Sequence, residues 1–416
     1  MLGIRQTARR CRLRKPREHK TAAGRKESEM SESEILFSIT KEHLDTGLRG
    51  FPVGTCPNSH VDPMTGLFYG GYAIADLADQ QPEAIIYLLL KREKPDAAQL
   101  AAFKAEIVAH SKLHPGVIDH LRSLPKQGHP MKWFLAAINV MGMYGGTGDY
   151  AKDYFNVVAQ LPEAVAAIYR IRSGWGDLIP SKPELGWIEN FVHMLGAPGA
   201  SKDLERLMKV FAILHFDHGG GNLSTFVGKA IASGHEDMFG SLVGAMAALA
   251  GPLHGMANQE CLRFLKDISK DIKDPSDEKV VYEYVENLLA KGGVLYGFGH
   301  AVLRVEDPRA TVQYALGETI APKDPLFRLA VTLRKVGSEI LKKKGKAADP
   351  YPNVDAVSGC LLSANGLTDE NYYTVLFGLS RCVGIAGQIV YERKEARGGK
   401  GIPIVRPKYL YSGPKR

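Results

Sequence analysis

Apolar positions along the chain recur mainly at helical spacing. In SKDLERLMKVFAILHF (201–216), Leu204, Leu207, Met208 and Phe211 share one face, Ser201 is placed to cap, and Asp203 and Glu205 suit the first turn. In SDEKVVYEYVENLLAKGG, Val281, Tyr284, Val285, Leu288 and Leu289 make a second stripe, closed by Lys291 and Gly292-Gly293. LPEAVAAIYRIR predicts a helix with Pro162 in its first turn, where a missing N–H costs nothing. Cys261, Leu262, Leu265 and Ile268 form a further stripe after Gly255. Strand signals are few, and GLFYGGYAI (66–74) predicts a small hairpin. There is no β/α alternation, no internal repeat and no dinucleotide-binding fingerprint, so the fold class is all-α.

The longest uncharged stretch, 238–253, is shorter than a bilayer span and is broken by Gly251-Pro252. It reads as a buried helix whose small residues permit close packing, with a subunit contact as a further reading, and no membrane partner is expected. KEARGGKG (394–401) reads as an exposed loop.

Length and charge refine this picture. With 416 residues the chain exceeds what one core usually holds, which predicts two domains. Five widely spaced cysteines with no C-x-x-C argue for a reducing compartment and against a disulfide framework or a metal site. The net charge of +8 is concentrated at the start. Residues 1–26 carry ten Lys/Arg and one acid, and the rest is balanced at 43 basic against 44 acidic residues. No nucleic-acid partner is therefore expected. The basic head reads as a disordered extension ahead of a second chain start at Met30, which places the protein in the cytoplasm; a mitochondrial transit peptide is the alternative, and a nonspecific basic tail follows.

Candidate chemistry gathers in four stretches and a basic pair. They are LHFDHGGGN with His215, Asp217 and His218; GPLHGMANQE with His254; GFGHAVLRVEDPR with His300, Arg304, Asp307 and Arg309; PNVDAVSG with Asp355; and Arg381 with Arg406. Taken singly, each has an ordinary reading. His215 at a helix end is a packing residue, Asp217 is a turn residue, and GFG lacks the layout of a phosphate loop. Arg381 lies in an apolar segment and needs a partner, with a buried salt bridge and a bound ligand equally placed to supply it.

Together these blocks resemble citrate synthase, in its dimeric, mitochondrial-type branch. LAGPLHGMANQE, GFGHAVLR followed by DPR, PNVDAVSG and YYTVLFGLSR occur in family order, and the similarity runs from about 46 to 408. The resemblance implies a large helical domain (30–255 and 361–416) with a smaller one inserted (256–360), residues 1–29 outside both, and a homodimer. It also implies condensation of acetyl-CoA with oxaloacetate and water to citrate and CoA, with acetyl-CoA a substrate and no cofactor or metal. The alternatives are 2-methylcitrate synthesis from propionyl-CoA and a non-catalytic CoA-binding relative.

Residue by residue, the resemblance makes Asp355 the base, His254 the stabiliser of the enolate oxygen and His300 the polariser of the ketone. His218, Arg309, Arg381 and Arg406 hold the carboxylate substrate, the last across a subunit boundary. Arg304, Arg49 and the LYGFG backbone (Leu295, Gly297, Gly299) match CoA contacts, and a further CoA arginine is either Arg170 or Arg172. Three departures stand out: Gly219 replaces an acid, Val357 and Cys360 sit next to the base, and KEARGGKG lengthens the connection before Arg406. The helix beginning after Gly255 should turn its positive end towards His254 and keep that ring neutral.

Overall fold

A computed structural model describes residues 35–345 and 348–414; the basic head and the first five residues of the 30–255 segment lie outside the described residues. Two units separate, one ending at Pro52 and one running from Val53 onward. In the first, among the described residues, a 3-10 turn (Glu42–Asp45) is accompanied by a cluster of the Phe37, His43 and Phe51 rings.

The second unit is helical, as the periodicity predicts. Its helices are α1 (Ile74–Leu77), α2 (Pro82–Lys91), α3 (Ala97–His110), α4 (Pro115–Ser123), α5 (Pro130–Gly145) and α6 (Tyr150–Ser173). They continue with α7 (Trp187–Leu195), α8 (Leu204–His215), α9 (Leu223–Ser233), α10 (Met238–Leu249), α11 (Ala257–Asp271) and α12 (Glu278–Ala290). The last are α13 (Pro308–Ile320), α14 (Pro325–Lys344), α15 (Asp355–Ala364) and α16 (Tyr373–Val390). The predicted hairpin forms from β2 (Gly66–Tyr69) and β3 (Tyr72–Ala73), and β1 (Ser59–Asp62) adds a third antiparallel strand, in the order β1-β2-β3. The turn between β1 and β2 is fixed by Asp62, whose Oδ1 accepts from the Met64 and Thr65 amides at 2.9 and 2.8 Å.

α16 is buried along its whole length and packs against α2, α5, α6, α8, α9, α10 and α11. With its flanks (Glu370–Glu395) it is long and apolar enough to cross a membrane by length and composition, although Arg381 interrupts its uncharged run. Here 94% of its apolar window is covered by the rest of the chain. The 238–253 stretch becomes α10, and its small residues let it lie against α9: a Cβ on Gly244 would sit 2.0 Å from Ile231 Cδ1.

Two local expectations are corrected. Ser201 does not cap α8; Asp203 holds that position, and the Ser201 hydroxyl instead accepts from the Asp203 amide at 3.1 Å. Pro162 is not in a first turn but inside the 24-residue α6. A proline there leaves the carbonyl one turn back without its N–H. That carbonyl, of Val158, accepts from Trp187 Nε1 at 2.8 Å, so a side chain from α7 replaces the missing backbone donor.

Candidate active site

Four chain segments converge. The first follows α8. His215 ends that helix, buried, its Nδ1 donating to Phe211 O at 2.7 Å, and burial pushes its pKa down to about 3. It is the packing residue expected. Asp217 is more than a turn residue. It is fully buried, and its carboxylate accepts from Ser59 Oγ at 2.7 Å, Gln388 Nε2 at 2.9 Å and the His218 amide at 2.9 Å. Tyr69 brackets its backbone, donating to Asp217 O and accepting from Asp217 N. α16 reaches this loop because Gly384 has no side chain: a Cβ there would lie 2.3 Å from Phe216 O. Gly219, where an acid was expected, has φ +69°, a left-handed conformation that favours glycine. The backbone of half-buried His218 is thus held in place, and burial, reinforced by Arg309 and Arg381, holds its ring far below the usual imidazole range.

The second segment is the turn after α10. His254 stands there, and its Nε2 accepts from the Ser224 backbone N–H at 3.2 Å and lies 2.9 Å from Ser224 Oγ. Ser224 is in the first turn of α9, which Asn222 caps by accepting from Thr225 N at 3.1 Å. The helix N–H that meets the ring is that of α9; the helix after Gly255, α11, begins at Ala257, whose amide reaches the His254 carbonyl at 3.5 Å. Neutrality is supported all the same, since burial first and Arg381 second push the His254 pKa down to about 4. With Nε2 accepting, Nδ1 carries the proton.

The third and fourth segments are paired loops. Gly299 N donates to Tyr351 O at 3.0 Å, Asn353 N to Gly297 O at 2.9 Å, and Asn353 Nδ2 to Gly299 O at 2.9 Å. Gly297 permits the approach: its φ is +80°, and a Cβ would lie 2.7 Å from Ala356 Cα. This zipper sets His300 on one loop and Asp355, first residue of α15, on the other. His300 Nδ1 accepts from the amides of Val302 and Leu303 at 3.0 and 2.9 Å, so its Nε2–H is the free donor. Its pKa is also pushed down to about 4, chiefly by burial. The His218 and His300 ring centres are 5.3 Å apart. The Asp355 carboxylate accepts no hydrogen bond among the described residues, and burial outweighs the pull of Arg309 to raise its pKa to about 6.

Two buried arginines complete the cluster. Arg309, in the first turn of α13, is paired with the helix cap Asp307 through Nη2–Oδ2 at 2.7 Å and Nε–Oδ1 at 3.1 Å. Arg381 is 2% exposed, donates from Nε to His215 O at 3.0 Å and lies 4.6 Å over the Phe377 ring. It forms no salt bridge among the described residues. Of the two partners the sequence left open, the internal ion pair is absent. Burial depresses its pKa to about 10. Three neutral histidine rings, one paired arginine, one unpaired arginine and one proton-accepting carboxylate make a cluster chemically suited to a small dianion next to a weak carbon acid.

Other candidates sit elsewhere. Arg304 is exposed and folds back on its own loop, with Nη1 donating to Val302 O and Leu303 O at 3.0 and 2.6 Å. Leu295 is buried, and the Gly297 carbonyl and both Gly299 backbone groups are engaged in the loop pairing. Arg406 is exposed on an irregular C-terminal segment outside this cluster. Arg49 is exposed in the first unit. Arg170 is occupied by the carbonyls of Trp175, Asp177, Leu195 and Gly196, whereas Arg172 donates to Gly128 O and Tyr372 Oη. Val357 and Cys360 are buried in the core. Sequence reasoning missed Ser224, Ser59, Gln388 and Tyr69, which carry no local signal linking them to a site.

Comparison with known proteins places the chain among relatives of one kind. The family model described as citrate synthase, C-terminal domain, matches residues 47–408. Citrate synthase 4, mitochondrial, of Arabidopsis thaliana is 33% identical over 400 residues, covering 90% of this chain and 82% of that protein. Among solved structures, citrate synthase from Thermotoga maritima superposes with a TM-score of 0.74 at 28% identity, covering 89% of this chain and 96% of its own. The enzyme from Thermoplasma acidophilum, in ternary complex with carboxymethyl coenzyme A and oxaloacetate, gives 0.78 at 26% identity and the same coverage.

Proposed function

The chain belongs to the citrate synthase family, and from that membership we propose that it condenses acetyl-CoA with oxaloacetate and water to give citrate and CoA through the cluster described above. The observation that carries the assignment to these residues is the buried, unpaired Arg381 facing neutral histidines beside an Asp355 carboxyl raised to about 6. The Thermoplasma relative, solved with a CoA analogue and oxaloacetate, supports the two substrate classes.

In this reading Arg309, Arg381 and His218 hold the oxaloacetate carboxylates, the arginines through charge-assisted bonds. His300 donates from Nε2 to the ketone oxygen and makes its carbon electrophilic. Asp355 removes a methyl proton from the thioester; its raised pKa brings it closer to the weak carbon acid while leaving it ionised at neutral pH. The developing enolate oxygen accepts from His254 Nδ1–H. A neutral donor suits this task, because the bond strengthens as charge appears. The enolate carbon attacks the polarised ketone, and water then cleaves the citryl thioester to release citrate and CoA. No cofactor enters this reaction.

A CoA phosphate is assigned to Arg304, the adenine to the Leu295–Gly299 segment, and the remaining arginine to Arg172, since the donors of Arg170 are committed to four carbonyls. Arg406 is assigned to the site of a second copy, in a homodimer; its exposure on the C-terminal segment supports this. For the compartment, the mitochondrial name of the Arabidopsis relative supports the matrix alternative over the cytoplasmic expectation, with the basic head as a transit peptide.

The test is thiol release with oxaloacetate and either acetyl-CoA or propionyl-CoA, with Asp355→Ala as control. Acetyl-CoA should be preferred and activity lost in the control. A preference for propionyl-CoA, or activity that survives the substitution, would overturn the reading.

A further inference from the structure

The segment 394–401, expected as an exposed loop, begins in a π-helical turn (Tyr391–Glu395), buries Ala396 and Gly401, and forms one wall of an open cleft of about 350 Å³. The opposite wall is the end of α9 and the turn after it, Ser233–His235, and the floor continues into Ile402–Ile404. Arg393, Arg397, Lys400 and His235 all line this cleft, and none of its lining residues is acidic. Glu236 and Asp237 follow His235 in the chain but do not line it, and the adjacent Glu392 is already paired with Lys229 at 2.8 Å. Among the described residues, the cationic groups therefore have no counter-ion at the cleft.

Further observations point to an occupant. Among the described residues, Arg393 Nε is enclosed without a hydrogen-bond partner, while its other nitrogens donate to neutral carbonyls, those of Ala232, Glu392 and Ile402. Arg397 likewise donates to Gly401 O at 3.3 Å. Backbone geometry adds to this. His235 and Arg397 have φ of +68° and +56°, left-handed values uncommon for residues with a side chain, and they stand on opposite walls of this one cleft. Such conformations persist where the surroundings hold them, often at binding sites.

We propose that this cleft binds a small phosphate-type anion carrying two or more charges, and that the anion pins the C-terminal segment leading to Arg406. Two guanidiniums and an ammonium with no carboxylate among them match a compact oxyanion, for which arginine offers paired N–H donors. The link to Arg406 is short. Ile402–Ile404 line the cleft, and the next residue, Val405, donates its amide to Ser233 Oγ at 3.0 Å. Binding would therefore fix the stretch that presents Arg406. The consequence for catalysis rests on the condensation reading; the binding itself does not.

The probe is inorganic pyrophosphate, titrated by calorimetry into the full chain with oxaloacetate present to occupy the site arginines. One site per chain is expected. The double variant Arg397→Gln/Lys400→Gln should weaken binding at least tenfold, Arg304→Gln should leave it unchanged, and citrate should compete poorly. Trypsin cleavage after Lys408, the tryptic site next to Arg406, should slow with pyrophosphate in the wild type only. Absence of binding, equal binding by the double variant, loss in Arg304→Gln, equal competition by citrate, or unchanged cleavage would each overturn the proposal. Because binding is read directly, an inactive enzyme would leave this test intact.

Discussion

Replacing Arg381 by methionine should make the ligand-free protein more stable and the liganded protein less so. Burial pushes the Arg381 pKa down to about 10, well below the ordinary arginine value. At about 1.4 kcal/mol for each tenfold change, a displacement of about two to three powers of ten makes the charged form unfavourable by roughly 3 kcal/mol. The sign follows from the direction. A base whose folded pKa is depressed carries its full penalty at neutral pH, where it is charged in both states, and sheds it only as pH rises through the folded value. Against this stand one neutral hydrogen bond, worth about 1 kcal/mol, and the contact with Phe377, worth about 1 kcal/mol more. The net expectation is a gain on the order of 1 kcal/mol for the methionine variant. In the wild type, saturating oxaloacetate at about 100 times Kd should add about 2.7 kcal/mol that the variant lacks. Urea denaturation midpoints of both proteins, with and without oxaloacetate, measure all four quantities. A variant clearly less stable than the wild type without ligand would refute the argument, because it would mean that the guanidinium is balanced by an internal partner.

The other predictions concern the proton transfers and one helix. With an Asp355 carboxyl pKa of about 6, kcat/KM for acetyl-CoA should fall about tenfold per pH step below that point, since the protonated form cannot act as base; Asp355→Asn should lower kcat by about 10²–10⁴-fold and abolish that limb, and a limb that persists would assign it to another group. Nitrogen-15 NMR should show His254 neutral at pH 7 and protonated on Nδ1, titrating near 4; a cationic ring at pH 7 would remove its role as neutral donor. Trp187→Phe should cost about 1–3 kcal/mol by leaving Val158 O unsatisfied, and less in a Pro162→Ala background, where a backbone N–H can take that carbonyl. Additive effects in this double-mutant cycle would show that the indole is not the substitute donor.

The sequence alone was enough for the helical class and for much of its detail. The stripes in α8, α11 and α12 and the hairpin at 66–74 are local patterns, and local spacing is what turns apolar residues onto one face. The blocks holding His218, His254, His300, Asp355, Arg309 and Arg381 were equally legible as candidates. What each residue is, chemically, was decided by neighbours far along the chain. His254 takes its tautomer from Ser224, His218 its placement through Asp217, Ser59 and Gln388, and Pro162 its place inside a helix from Trp187. The tertiary structure also separated cases that look alike in sequence. Arg170 is consumed by four carbonyls, Arg309 by one carboxylate, and Arg381 by neither. α16 shows the same division: its composition alone would suit a membrane, but the helices around it cover it. Periodicity is a property of neighbouring residues and survives in the sequence. Desolvation and pairing depend on which distant groups arrive at the same point, and only the folded chain settles that.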